Sequence, residues 1–153
     1  MERVGLTHDA PCPFTPGKSI SDVLLTPTQI YTKSCLSAIR TRGVTGLAHI
    51  TGGGLIENPP RCFSDKLAAR IDCTAWPLPR IFRWLMEAGA IVPKELARTF
   101  NCGIGMILMV SPNAAKAIAG VLSEHGEAVH LIGFLEPREP GGDSVILDGL
   151  ATW

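Results

Sequence analysis

Three consecutive glycines, Gly52, Gly53 and Gly54, form the part of the sequence best suited to binding an anion. They follow Thr51 and an apolar, partly β-compatible segment at 44–50, and apolar residues resume directly after them. This order favours a strand, a glycine turn and the start of a helix. Backbone N–H groups in such a turn carry no side chains over them, and with the helix dipole they favour a bound phosphate.

His49 lies shortly before the glycines, at the carboxyl end of the predicted strand. In open α/β sheets this end is where ligands usually bind. Two alternatives stay open, since three glycines also suit a plain loop and a single histidine in an apolar segment is often a core or rim residue. The spacing matches neither the dinucleotide fingerprint nor the P-loop, so it predicts no more than a loop that could hold a phosphate.

Length and charge limit the classes of protein to which the chain can belong. Its 153 residues, 46% of them apolar, fit one globular domain with a real core. Lysine plus arginine equals aspartate plus glutamate at 14 each, so no net field would hold a nucleic acid or an anionic membrane. The longest apolar run, 103–110, is too short to span a bilayer, and we expect a soluble, cytoplasmic protein.

The five cysteines are odd in number, widely separated and never arranged as C-x-x-C. This pattern argues against a disulfide framework and against a zinc site. We therefore expect reduced, mostly buried thiols and no metal ligands.

Periodicity and capping residues predict an α+β fold, a layered α/β/α domain around a mixed β-sheet. Residues 1–23 are rich in proline and glycine, which predicts a linker or arm, and residues 24–153 are predicted to form the α+β domain. A short helix is expected from Gly54. The other predicted helices lie at 29–42, 78–89, 93–98 and 111–125, and the predicted strands at 44–50, 68–72, 107–110, 129–134 and 144–147.

Three further residues could line a binding site. Lys33 lies off the apolar stripe of its helix, so it is either solvated or directed at a ligand. Asn101 could pair with a ligand or cap a turn. Gly103 and Gly105 precede an unbroken apolar strand, which suggests that another group approaches the backbone there.

Four segments resemble the C-terminal half of phosphoribosylformylglycinamidine cyclo-ligase, the aminoimidazole ribonucleotide synthetase of purine biosynthesis. They stand in register and together cover nearly the whole chain. The segments are L-L-T-P-T-Q-I-Y-T-K-S at 24–34, G-L-A-H-I-T-G-G-G-L-I-E-N-P-P-R at 46–61, W-P-L-P-R-I-F-R-W-L-M-E-A-G at 76–89 and R-T-F-N-C-G-I-G-M at 98–106.

The resemblance implies an ATP-dependent ring closure. In that family ATP phosphorylates the formamide oxygen of formylglycinamidine ribonucleotide, the amidine nitrogen attacks the activated carbon, and phosphate leaves. The products are aminoimidazole ribonucleotide, ADP and phosphate. Such chemistry needs phosphate cradles, Mg²⁺ and groups that move protons.

The resemblance also implies roles for residues of this chain. His49 would be the acid/base or would contact the transferred phosphoryl group, and the amides of Thr51 and the three glycines would cradle a phosphate. Further donors would be Asn58 and Arg61, although an ordinary surface ion pair is the more frequent role for an arginine such as Arg61. Weaker candidates for lining an interdomain cleft are Lys33, Asn101 and Gly103.

Two departures from the family pattern affect the expected activity. Pro59 stands where the family usually has an aliphatic residue, which could distort the helix after the glycines. The family's N-terminal half, which supplies the acidic metal ligands, much of the ATP site and the homodimer interface, has no counterpart here, and residues 1–4 resemble the end of a helix that precedes the linker. We therefore expect no activity from this chain alone. The alternatives are a non-catalytic phosphate- or nucleotide-binding module that pairs with a separate N-terminal half, and an inert fragment.

Overall fold

The computed structural model describes residues 4–153. This part of the chain forms six α-helices and five strands, with a 3-10 turn at Pro59–Cys62 and another at Leu150–Thr152. The helices are α1 (Ile20–Leu24), α2 (Thr32–Arg40), α3 (Gly54–Glu57), α4 (Arg80–Gly89), α5 (Pro93–Thr99) and α6 (Ala115–Glu124). The strands are β1 (Val44–His49), β2 (Leu67–Asp72), β3 (Met106–Val110), β4 (Gly133–Pro137) and β5 (Val145–Asp148).

The strands form two sheets. Strands β1 and β3 pair antiparallel, and β2 lies at the centre of a second sheet, antiparallel to β4 and parallel to β5. The predicted α+β fold with a mixed sheet is confirmed, and its strands are divided between these two sheets. None of the three strand pairs joins strands that are consecutive in sequence, so the strands of the two sheets are interleaved along the chain.

Both sheets contribute to one main core. Leu55 of α3 and Leu96 of α5 are fully buried there, beside Trp76, whose indole N–H donates to the carbonyl of Cys102 at 2.9 Å. Burying each large apolar side chain stabilises the fold by about 1.5–3 kcal/mol. A smaller cluster, centred on Ile118, joins α2 to α6. The core therefore lies directly beneath the glycine turn, through Leu55.

The prediction of a strand at 129–134 is wrong, since β4 spans Gly133–Pro137. Pairing with β2 sets this position: Gly133 lies opposite Ile71, and a Cβ at Gly133 would collide with the carbonyl oxygen of Arg70. Only a glycine lets the two backbones approach there. The loose alternation of apolar residues before Gly133 gives no information about the partner strand, and the pairing with β2 determines where β4 begins.

Three helices begin later than their sequence patterns predict, and one of them, α4, starts at Arg80 instead of at residue 78. Helix α2 starts at Thr32 because Tyr31 occupies the N-cap position, and α6 starts at Ala115 after a turn that begins at Ser111. Within residues 4–153, the structure has no helix with the length and apolarity needed to cross a bilayer.

Part of the segment interpreted as an arm is ordered against the domain. A capping box at Ser19 starts helix α1, and Ile20 is fully buried. Phe14 packs on Trp84 of α4 with ring centroids 5.2 Å apart. The expectation that residues 1–4 derive from a preceding helix concerns residues that are, except for Val4, outside the described part of the chain.

Candidate functional site

His49 ends β1 with an exposed side chain, opposite Met106 of β3. The Tyr31 ring meets its imidazole edge-on, with centroids 6.0 Å apart and planes at 70°. Tyr31 fits because Gly105 has no side chain, since a Cβ there would clash with the phenol. The amide of Ile50 donates to the Gly105 carbonyl at 2.9 Å and extends the pairing one residue beyond His49. The imidazole of His49 thus lies at the end of β1, in contact with the Tyr31 ring and exposed to solvent.

The glycine turn is open at its start and buried at its end. A side chain at Gly52 would meet only open space. Gly53 and Gly54 have left-handed backbone conformations, with φ of 104° and 54°. A Cβ at Gly54 would run into the carbonyl of Ala97, so α3 begins in direct contact with α5. This packing requires glycine at the third position of the turn.

Two of the four backbone amides in the turn are already used within the fold. Thr51 donates to Oδ1 of Asn58 at 2.7 Å, and Gly54 donates to the carbonyl of Thr51 at 2.9 Å. The amides of Gly52 and Gly53 have no acceptor among residues 4–153. Successive free N–H groups of this kind can hold an anion.

Charges of both signs border the turn. The Glu57 carboxylate lies close to Gly53, with Oε2 3.1 Å from the position that a Cβ would take. Arg98 of α5 neutralises part of this charge through an Nη1 to Oε1 distance of 3.5 Å. Arg61 is exposed on the 3-10 turn that follows, and the described residues place no carboxylate within 4.0 Å of its guanidinium. The surface ion pair considered for Arg61 is therefore not formed in this part of the chain.

The weaker candidates lie apart from the turn. Lys33 is exposed in the first turn of α2. Oδ1 of Asn101 accepts a hydrogen bond from the amide of Gly103 at 3.1 Å, which is the turn-capping alternative. A Cβ at Gly103 would press on the ring of Pro79, so the predicted close approach occurs both here and at Gly105, where Tyr31 lies.

Tyr31 also belongs to this region, and its own position in the sequence did not single it out as a site residue. Its aromatic ring precedes Lys33 in the 24–34 segment, and the missing side chain at Gly105 was the signal that something packs there. Burial raises the pKa of the Tyr31 phenol, and the nearby charge of Glu127 raises it further. The Tyr31 phenol therefore stays neutral at physiological pH, and its contact with His49 is made by the aromatic ring.

A groove of about 1080 Å³ runs between β3 with α6 on one side and residues 127–135 on the other. Its lining is mostly apolar. At one end Glu127 accepts hydrogen bonds from the hydroxyl of Ser34 at 2.7 Å and from Nε2 of Gln29 at 2.6 Å. Tyr31 and Gly105 line this groove, whereas His49 and the glycine turn do not.

Cys73 and Cys102 are the cysteines buried most deeply, and both lie in the main core. Burial raises the pKa of Cys73 and of Cys102 to about 12, so both are neutral thiols. All five cysteines are reduced. Residues 4–153 contain no group of three or more histidine, cysteine, aspartate or glutamate side chains that could hold a metal ion.

Comparisons with known proteins point to one family. The family described as AIR synthase related protein, C-terminal domain, matches residues 1–143. The bifunctional purine biosynthetic protein ADE5,7 of Saccharomyces cerevisiae is 42% identical over 148 residues, which make up 97% of this chain and 18% of that protein. The chain thus spans less than a fifth of the length of this curated relative.

Two crystal structures of HypE from E. coli share the fold. Each has a TM-score of 0.60 over 80% of this chain. One is 24% identical and covered over 36% of its length, and the other, described as a hydrogenase maturation protein, is 23% identical and covered over 37%. At this level of identity the likeness concerns architecture alone.

Proposed function

This chain belongs to the AIR synthase related proteins, as their C-terminal domain, and we propose that it forms one side of the cleft of an ATP-dependent cyclo-ligase. The resemblance predicted from four sequence segments is confirmed by the family match and by the purine biosynthetic relative. The proposed reaction converts formylglycinamidine ribonucleotide to aminoimidazole ribonucleotide with ATP. One observation carries the assignment of the site: the free amides of Gly52 and Gly53 lie in an open turn shortly after the exposed imidazole of His49.

The residues of the turn suit a phosphate group of the ribonucleotide. Two successive N–H donors that have no acceptor in the described part of the chain can bind phosphate oxygens, and the space beside Gly52 is open. Arg98 draws the Glu57 carboxylate toward α5 and limits its repulsion of an anion. Arg61 has no acidic partner in the described part of the chain and is available as a second source of positive charge. In this proposal Thr51 and Gly54 shape the cradle, and their own amides serve the turn.

His49 is the residue that we propose to move a proton in the ring closure. An imidazole nitrogen can take a proton from the attacking amidine nitrogen or give one to the leaving oxygen. The edge contact with the Tyr31 ring limits rotation of the imidazole. Lys33, Asn101 and Gly103 remain proposed cleft residues.

The metal that the family uses finds no ready-made set of protein ligands among the described residues. Mg²⁺ binds through carboxylate and phosphate oxygens, and no cluster of three or more such protein ligands occurs within 4–153. We therefore propose that ATP and Mg²⁺ are held mainly by an N-terminal half, through which a homodimer would also form. The resulting enzyme would act in the cytoplasm.

Reconstitution tests this function. The chain is mixed with a separately produced N-terminal half of a relative, and ADP release is measured with formylglycinamidine ribonucleotide and Mg·ATP. We expect turnover only when both halves are present. Robust turnover by the chain alone would refute the division of roles.

A variant of the reconstituted enzyme tests the site. His49→Gln should lower kcat by about 10²–10⁴, the range for loss of a general acid or base. His8→Gln is the matched control, since His8 is an exposed histidine in the N-terminal segment. Equal activities of the two variants would remove His49 from the chemistry.

A second candidate is a phosphate- or nucleotide-binding module without catalysis. The observation that favours it is that the open amides of Gly52 and Gly53 are complete within this chain. Binding of a ribonucleotide by the chain, with no ADP release after the N-terminal half is added, would select this alternative. An inert fragment would show neither.

A further inference from the structure

We infer that Asn58 is a positioning residue that orients the free Gly53 amide of the glycine turn, rather than a donor to the ligand. This inference rests on the proposed function, because it concerns the same phosphate cradle. Asn58 is 3% exposed, and Ser34 is the other polar side chain that is buried to this extent in residues 4–153. A polar amide is retained in such a position only when both of its ends find partners.

Both ends of the Asn58 amide bind the backbone of the turn. Oδ1 accepts the N–H of Thr51 at 2.7 Å, and Nδ2 donates to the carbonyl of Gly52 at 3.1 Å. The side chain therefore bridges from the beginning of the turn to its middle. Nδ2 also lies 3.0 Å from the position that a Cβ at Gly53 would occupy, so the amide lies directly against the turn.

Peptide planarity turns this bridge into an orienting device. The carbonyl of Gly52 and the N–H of Gly53 belong to one planar peptide unit, in which a trans bond directs them to opposite sides. Since Asn58 is buried and holds the Gly52 carbonyl, the Gly53 N–H points away from the interior. The second bond removes the Thr51 amide from the set of free donors. Asn58 thereby orients the free amide of Gly53, whereas the Gly54 N–H, which donates to the Thr51 carbonyl, holds the peptide unit that carries the Gly52 amide.

The glycines make such a device necessary. Glycine visits left-handed and right-handed conformations almost equally, so the Gly52–Gly53 peptide unit could flip if nothing held it. A flipped unit would present a carbonyl oxygen to a phosphate. Preorganised donors bind an anion more tightly because the ligand does not have to order them.

The test uses the 153-residue chain, with pyrophosphate as the probe and amide NMR as the readout. In the unmodified chain we expect the Gly52 and Gly53 amide signals to shift on titration and the Thr51 amide to be protected from hydrogen exchange. Asn58→Ala should bind pyrophosphate about tenfold more weakly, through lost preorganisation, and should lose protection at Thr51. Asn58→Asp keeps an acceptor and should keep the Thr51 protection.

A stability-matched control separates positioning from general loosening. Ile118 lies in the smaller cluster between α2 and α6, away from the turn. Ile118→Val or Ile118→Ala, whichever lowers Tm as much as Asn58→Ala does, should leave pyrophosphate affinity and Thr51 protection unchanged. If the matched Ile118 variant loses as much affinity as Asn58→Ala, the role of Asn58 is only structural and the inference fails.

The outcomes for the two proposals differ. Binding that is unchanged in Asn58→Ala, with shifts still centred on Gly52 and Gly53, overturns the positioning role and leaves the phosphate cradle standing. Absence of any shift at these two amides in the unmodified chain overturns the cradle and, with it, the positioning role.

Discussion

Replacing Gly54 by alanine should destabilise the domain strongly, although alanine is ordinarily the better helix residue. Gly54 has φ of 54°, and a left-handed conformation costs a residue with a Cβ about 1–2 kcal/mol. The new methyl would also collide with the Ala97 carbonyl and lie 2.7 Å from that of Phe100. Both atoms belong to backbone, so relief requires α3 to move away from α5.

Forcing an extra methyl group into a packed site of this kind lowers the free energy of unfolding by a further amount of about 1–3 kcal/mol. The two contributions together predict a loss of about 2–5 kcal/mol from a domain whose total stability is of the order of 5–15 kcal/mol. Gly52→Ala is the control within the same turn, because its Cβ would meet open space and its φ is not left-handed. That substitution should change stability by less than about 0.5–1 kcal/mol.

Urea denaturation followed by tryptophan fluorescence measures both variants. We expect a large fall in the midpoint for Gly54→Ala, an unchanged slope, and a midpoint near that of the unmodified chain for Gly52→Ala. If Gly54→Ala were as stable as Gly52→Ala, the contact of α3 with α5 would be wrong, and the geometry of the turn would need to be redrawn.

Three other perturbations test different parts of the fold. In the folded chain burial raises the pKa of the Cys73 and Cys102 thiols from 9.0 to about 12, so they stay protonated where unfolded thiols would ionise. These two thiols should therefore leave the free energy of unfolding unchanged at neutral pH and lower it as pH rises from 9.0 toward about 12. Urea midpoints across that pH range would measure the effect. Trp153→Phe removes the indole N–H that donates to the Cys73 carbonyl at 3.0 Å and should cost about 1 kcal/mol in a urea titration; no loss would mean that the C-terminal indole is not bound there. Phe14→Ala removes the aromatic contact that holds the N-terminal segment on α4, so tryptic cleavage after Lys18 should accelerate on a gel time course, and an unchanged rate would argue against that contact.

The elements that sequence predicted well are those whose signals are local. Helix α4 follows from apolar residues three and four positions apart, and α5 from Pro93 at its first turn. The glycine turn between β1 and α3 follows from three residues without side chains. In each case neighbouring residues suffice to determine the conformation.

The features that sequence missed depend on residues that are distant along the chain. The position of β4 is set by its pairing with β2 and by the space at Gly133 beside Arg70. The contact of Tyr31 with Gly105 and His49 joins three separate segments. The resemblance implied that Asn58 is a donor to the ligand, whereas the bonds of its buried amide to the backbone of the turn depend on the environment of the folded chain.

The division of the strands between two sheets has a consequence for synthesis on the ribosome. Strand β1 pairs only with β3, roughly 60 residues later, so at about 5–20 residues per second it waits several seconds for a partner. Strand β2 waits still longer, because both of its neighbours lie after residue 132. A nascent chain that has emerged from the exit tunnel only as far as that point therefore holds one finished ladder and one strand with both edges unpaired. Chaperone binding should drop sharply in longer nascent chains from which β4 and β5 have also emerged.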